Sequence, residues 1–251
     1  MDSRSTGVEA IKRRVRREFG NITSVWPATD SWSAHTHREI GLRLQKWAES
    51  FSNPGASVGK ILNVGSHGNT YSLNCLDHFH VDVAEASLRN VPLSVAADAE
   101  HLPFAPDQFD AVVCVGSVIN YCRPPNVFAE LSRVLKSHGM LILEFETSES
   151  FELLLTPDFG SDVALIKTFY NGKSDNIYVY SLRYIFGSLS AVRMHVIKVD
   201  RFHRLSALGY RISGREQLSA KLAKLDWIVE KLPILRNYSA NIFLVAYKRQ
   251  Y

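Results

Sequence analysis

"ADAEHLPFAPDQFDAVVCVGSVINY", residues 97–121, decides how this chain is read. A short apolar run ends near the acid Asp98, and a second run, Ala111 to Val115, is almost continuously apolar before Gly116 and Ser117. A run of that kind without polar alternation is a strand covered on both faces, as in a parallel sheet.

The flanking segments agree. Upstream, "KILNVGSHGNTY" (60–71) is a strand entering a tight loop, and "HFHVDV" is a strand ending near Asp82. Downstream, "PPNVFAELSRVLKSHG" is a helix. Pro124 and Pro125 stand at its start, Val127, Phe128, Leu131, Val134 and Leu135 line its inner face, and Gly139 follows its end. "MLILEFET" is another buried strand. Strands alternating with helices predict an α/β fold with a parallel sheet covered on both faces.

Further out, "VEAIKRRVRREF" (8–19) spaces Val8, Ile11, Val15 and Phe19 as a helix, with Lys12, Arg13, Arg14, Arg16 and Arg17 on the other face. Pro27 and Asp30 signal turns, and Ser33 or Thr36 is the expected cap of a helix carrying Ile40, Leu42, Leu44 and Trp47. "SNPGASVGK" (52–60) is a loop. After Ser148 the pattern loosens, and residues 148–192 read as helices and loops. "RMHVIKV" is a strand, "GREQLSAKLAKLDWIVEKL" a helix and "SANIFLVAYKR" a buried final strand.

The bulk properties narrow the class. A chain of 251 residues with 46% hydrophobic content supports a sizeable core. A net charge of +4 does not by itself imply nucleic acid. Cys75, Cys114 and Cys122 show no C-x-x-C spacing, so neither a metal site nor a disulfide framework is expected, and a reducing compartment is. No apolar run approaches the roughly 18 residues of a membrane span. The opening residues lack the apolar core of a secretory signal, which makes a cytoplasmic location the expectation.

Three successive strand ends carry Gly65-Ser66-His67-Gly68, Asp82 and Asp98. Glycines let backbone approach a ligand, and an acid at the next strand end is placed to accept hydrogen bonds from ribose hydroxyls. Asp98 is placed to hold an adenine amino group. A dinucleotide needs a glycine loop that opens a helix under its pyrophosphate. Here the order is G-S-H-G-N-T, and little room for a helix remains before Asp82.

Residues 60–148 resemble the class I S-adenosylmethionine-dependent methyltransferases, and most closely the group containing the ubiquinone- and menaquinone-biosynthesis enzymes. The resemblance rests on "ILNVGSHGN", "HVDV", "ADAEHLPFAPDQFDAVVCVGSVINY" and "ELSRVLKSHGMLIL". It implies a Rossmann-like three-layer sandwich whose sheet is seven-stranded and mostly parallel, with the last strand antiparallel. "SANIFLVAYKR" would be that strand, with "RMHVIKV" its edge neighbour. The implied organisation is an N-terminal helical lid (1–56), a cofactor-binding core (57–148), a substrate-side insertion (149–210) and a C-terminal helix and strand (211–251). By resemblance, Gly65 and Ser66 present backbone to the methionine part of S-adenosylmethionine. Asp82 binds the ribose, Asp98 and the backbone of Ala99 the adenine, and Gly116 and Ser117 border the sulfonium. The product would be S-adenosylhomocysteine. Asn63, also a cofactor-binding candidate, stands where the family has an acid, and His67 and Asn69 stand at glycine positions, so the loop is altered; with Asp82 and Asp98 both present it is expected to work.

Methyl transfer needs alignment of nucleophile and methyl, exclusion of water and, for a hydroxyl, a base. His37 and Tyr121 are the candidate catalytic side chains, with His35, Asn120, Glu146 and His203 also placed for the role. Trp26, Trp32, Phe151, Tyr170, Tyr178, Tyr180, Tyr184 and Phe186 form either an aromatic mouth for a small acceptor or a second small core. "GSVINY" stands where nucleic-acid amino-methylating enzymes carry an NPPY-type tetrapeptide. The expected activity is methyl transfer to oxygen or nitrogen of a small molecule. The alternatives are an RNA methyltransferase using the basic N-terminal helix and a scaffold that has lost catalysis.

Overall fold

A computed structural model describes residues 3–22, 24–51, 58–73, 75–170, 173–232 and 235–250. Two helices, α1 (Ser3–Phe19) and α2 (Ser31–Phe51), precede the sheet. Then come β1 (Val58–Val64), β2 (Cys75–Asp82), β3 (Ser94–Ala96), β4 (Phe109–Cys114), α3 (Pro124–Val134) and β5 (Leu135–Glu146). A hairpin follows, β6 (Val163–Tyr170) and β7 (Lys173–Tyr180), then α4 (Leu182–Ala191) and β8 (Met194–Phe202). Three short helices, α5 (Leu205–Ser213), α6 (Glu216–Ser219) and α7 (Asp226–Glu230), lead to β9 (Asn241–Lys248).

Seven strands form one sheet in the order β3-β2-β1-β4-β5-β9-β8. The first five are parallel, and β9 runs antiparallel to both β5 and β8. Successive residues of a strand face opposite sides, and the core divides accordingly. Leu62, Val64, Val112 and Cys114 face one side, where Phe128, Leu131, Ile185 and Leu189 pack from α3 and α4. Ile61, Ala111, Val113 and Phe243 face the other, beneath Ile40, Leu44 and Trp47 of α2. Burying each such side chain stabilises the fold by about 1.5–3 kcal/mol before entropy is counted. The three-layer sandwich is the architecture that the family resemblance implies, and the parallel sheet covered on both faces is what the strand pattern predicts.

Several local expectations change. Helix α2 is capped by Asp30 rather than by Ser33 or Thr36: its carboxylate accepts from the amides of Trp32 at 2.9 Å and Ser33 at 3.2 Å. Residues 163–170 and 173–180 pair as antiparallel strands, not helix and loop, and Ala164, Ile177 and Val179 bury their inner face. The stretch 214–232 is helical only in short pieces. Most of the predicted 52–60 loop lies outside the described residues. No helix among the described residues is long and apolar enough to cross a membrane.

Candidate active site

In an open α/β sheet ligands bind beyond the carboxyl ends of the strands, where the strand order reverses. Here the reversal lies between β1 and β4. A cavity runs along this edge, lined in sheet order by Asp98, Asp82, Gly65, Gly116 and Glu146. Neighbouring strands lie about 4.8 Å apart, so Asp82 and Glu146, three strands apart, are separated by roughly 14 Å.

The β1 end is made of backbone. Gly65 has φ +69°, and a Cβ there would collide with Val118. A bare backbone therefore faces the cavity. His67 adopts φ +44°, a conformation costly for a residue with a Cβ. Two contacts hold it: its amide donates to Asp82 Oδ2 at 2.8 Å, and its ring Nε2 lies 3.1 Å from the Phe19 carbonyl at the end of α1. The second family glycine position thus keeps a glycine-like backbone while its side chain fastens the N-terminal helix. From Gly65 to Leu73 the chain turns rather than forming a helix. No helix N-terminus waits there for a phosphate, as the spacing predicts.

Asn63 lies beneath this loop, where its Nδ2 donates to the Asn69 carbonyl at 2.7 Å. Asn69 Nδ2 in turn meets His37 Nε2 at 2.9 Å, and the His37 ring stacks on Trp26 with centroids 5.3 Å apart. Burial lowers the pKa of His37. Neither Asn63 nor His37 is among the described residues lining the cavity; both brace the loop from behind. Gly65, Ser66, Asp82, Asp98, Ala99, Gly116, Ser117 and Tyr121 all line it. Asp82 also accepts from the Ala84 amide at 2.8 Å, and burial raises its pKa.

Helix α1 covers the β3 end of the cavity. The Lys12 ammonium lies 2.8 Å from Asp98 Oδ2 and 2.5 Å from Glu100 Oε1. Burial pulls its pKa down, but the hydrogen bonds to Asp98 and Glu100 outweigh it and the net shift is upward. Glu100 also accepts from Arg123 and Asn126. Asp98, Glu100 and Cys122 lie close enough to suggest a cation site, with ligand atoms within 4.8 Å of one another. The Lys12 ammonium already bridges the two acids, and the Arg123 guanidinium supplies Glu100 with a second cation.

The β4–β5 end is made of carboxyl groups. Glu144 is fully buried, and its Oε2 accepts from the amides of Gly116 and Ser117, both at 2.8 Å. Its Oε1 accepts from Asn241 at 2.7 Å. These bonds hold the Gly116–Ser117 turn, where both residues have positive φ. Asn120 grips the next carboxylate's backbone from both sides, accepting from the Glu146 amide at 3.0 Å and donating to its carbonyl at 2.9 Å. The Glu146 side chain accepts from Ser117 Oγ at 3.2 Å. Burial, then the nearby Glu152 and Glu144, push its pKa up to about 8. Glu152 also lines the cavity, and burial pushes it up to about 7. The Tyr121 hydroxyl donates to Asp175 at 3.0 Å, and burial, then the Asp175 charge, raise its pKa well above the ordinary value.

Residues 54–143 match the family model for the methyltransferase domain. The chain carries a methyltransferase domain. S-Adenosylmethionine is the cofactor that such a domain implies. No curated protein matches the chain. Solved structures do. A SAM-dependent methyltransferase of Thermotoga maritima is 15% identical, with 95% of this chain and 100% of that one covered and a TM-score of 0.56. A protein of Pyrococcus horikoshii OT3 is 16% identical over 94% of this chain and 99% of its own, with a TM-score of 0.57. The cyclase SpnF is 16% identical over 85% and 82%, with a TM-score of 0.52. At these identities the likeness concerns the fold, which hosts more than one chemistry.

The residues present suit this cofactor. S-Adenosylmethionine carries no phosphate, so the missing helix after β1 removes nothing it needs. Bare backbone at Gly65 and Gly116, with carboxylates at Asp82 and Asp98, offers close approach together with acceptors for hydroxyl and amino hydrogens.

The remaining candidates divide by burial. His203 is fully buried between Thr36 at 2.9 Å and Ser206 at 2.8 Å, stacks on Trp32 and titrates well below its usual range, chiefly because of burial. Trp26 and Trp32 line the cavity, whereas Phe151 packs with Trp32 and Tyr238 in a small core and Tyr180 is buried with its hydroxyl on the Cys122 carbonyl. The side chain of Tyr170 lies outside the described residues. Sequence reasoning missed Lys12 as a partner of Asp98, and it missed Glu144 and Glu152. An acid inside the apolar strand "MLILEFE" was the available signal for Glu144.

Proposed function

We propose that this protein transfers the methyl group of S-adenosylmethionine to an oxygen or nitrogen of a small-molecule acceptor, with Glu146 as the general base. When bound, the cofactor supplies a methyl activated by a sulfonium. Asp82 and Asp98 would hold its ribose and adenine, and Gly65, Ser66 and Gly116 would pass close beneath its amino-acid end. The observation that carries the reading is one cavity joining Asp82 and Asp98 to Glu146 along a single sheet edge.

Glu146 suits a base because its raised pKa, about 8, brings it near neutral operating pH. The Asn120 clamp and the Ser117 hydroxyl fix its position. Tyr121 forms part of the acceptor wall, and His37 serves the loop. An RNA-binding arm is less well supported by α1, because Lys12 and Arg14 turn inward to Asp98, Glu100 and Asp175.

Incubation with methyl-labelled cofactor, a dialysable metabolite extract and total RNA tests this directly. Label in the dialysable fraction is expected. Label confined to RNA, or a folded protein that does not bind the cofactor, would overturn the reading.

A further inference from the structure

Beyond Ser117 the cavity changes character. Glu146 and Glu152 both face it, from the end of β5 and the turn that follows. Three aromatic residues, Trp32, Tyr121 and Tyr210, line the cavity as well. The basic side chains among the described lining residues are Lys12 and His67. Lys12 is held by Asp98 and Glu100 at the far end, and His67 reaches back to α1. Arg14 approaches from α1 but is paired with Asp175, behind Tyr121. Two half-buried acids thus face the acceptor space with no lining cation beside them.

We propose that the acceptor is an amine, bound as its ammonium between Glu146 and Glu152 against the Trp32 and Tyr121 rings. This rests on the methyl-transfer reading and names its substrate class. Two buried carboxyl groups repel each other when both are ionised, and a cation between them removes that cost. Aromatic faces attract an ammonium and exclude water from it. A carboxylate acceptor would meet like charge, and a neutral alcohol would bring no counter-charge when either acid ionises.

The site also supplies the proton step. The ammonium gives one proton to the Glu146 carboxylate. The nitrogen lone pair so freed forms the bond to the methyl carbon while the carbon–sulfur bond breaks and its pair returns to sulfur. The product is an N-methylammonium, and the proton on Glu146 leaves to water.

The test compares phenethylamine with phenethyl alcohol, which share a carbon frame and differ in charge. Each is titrated by calorimetry into the protein saturated with S-adenosylhomocysteine. The amine should bind about tenfold or more tightly, the scale of a charge-assisted hydrogen bond. Glu152→Gln should narrow that gap while leaving affinity for S-adenosylhomocysteine unchanged. Equal affinities, tighter binding of the alcohol, or binding of neither at millimolar concentration, with S-adenosylhomocysteine still bound, would overturn the amine assignment alone. If S-adenosylhomocysteine itself fails to bind the folded protein, the methyl-transfer reading falls and the amine assignment falls with it.

Discussion

At the β1–β3 end of the cavity the chain presents bare backbone and two acids already engaged by amides or by Lys12; at the β4–β5 end it presents carboxyl groups pushed toward neutrality. The first end is fixed before any ligand arrives. Asp82 is tied to His67 and Ala84, and Asp98 to Lys12 and the Glu100 amide. The second end keeps proton-transfer capacity at neutral pH. A recognition surface benefits from rigidity, whereas a base must be able to change protonation state. On the proposed reading one sheet edge would serve both needs, with β4 between them and Glu144 locking its terminal turn.

Breaking the carboxylate end should have the largest effect. Glu146→Gln should slow methyl transfer by about 100- to 10,000-fold, the usual contribution of a general base. In the wild type the rate should rise with pH through the range of about 7 to 8 where Glu146 and Glu152 lose their protons, and the variant should lose that limb. Retention of both rate and limb would remove Glu146 from the chemistry.

Breaking the hold of α1 on the β3 end comes next. Lys12→Met leaves Glu100 with Arg123 and Asn126 but takes the cation from Asp98. Denaturant unfolding should show a loss of about 2 kcal/mol, less than for a fully orphaned buried charge. A smaller effect is expected at the glycine loop. Gly65→Ala must adopt φ +69° and meets Val118, so it should cost about 1–2 kcal/mol and weaken cofactor binding, read by thermal shift with and without S-adenosylhomocysteine.

The carboxylate end also predicts a pH dependence of stability. Glu146 has its folded pKa raised to about 8 from 4.5, so between those values the folded protein holds a proton that the unfolded chain releases. Its contribution is full below about pH 4.5 and is lost as pH rises through about 8. Glu146→Gln cannot ionise and should melt above the wild type at pH 8, by about 2–4 °C for each kcal/mol gained, with the gap closing near pH 4.5. An equal gap at both pH values would mean that packing, not charge, sets it.

The same two ends differ in how far the sequence revealed them. Gly65, Asp82, Asp98 and Gly116 sit at strand ends, and a strand end is marked locally by an apolar run that stops. The missing helix after β1 was visible as a short gap before Asp82. Lys12 was not legible as a partner of Asp98, because the pair is separated by 86 residues and only the docking of α1 brings it together. His37 was legible as a residue near the edge but not as one facing away from the cavity, since helical phase against the loop decides that. Glu152 comes from a segment whose pattern is loose until the β6–β7 hairpin packs over it. Of the two readings left open for the aromatics, Trp32 lines the cavity while also packing on a small core, whereas Tyr180 belongs to the core, its ring among apolar neighbours and its hydroxyl on a carbonyl.

The central claim is that the cofactor belongs to one end and the proton chemistry to the other. Calorimetric titration of S-adenosylhomocysteine into the wild type, Asp82→Ala and Glu146→Gln tests it most directly. The account predicts that Asp82→Ala weakens binding by about 10- to 100-fold, the loss of a charged hydrogen-bond acceptor, and that Glu146→Gln binds as the wild type does. Equal weakening by both substitutions, or none by Asp82→Ala, would contradict it.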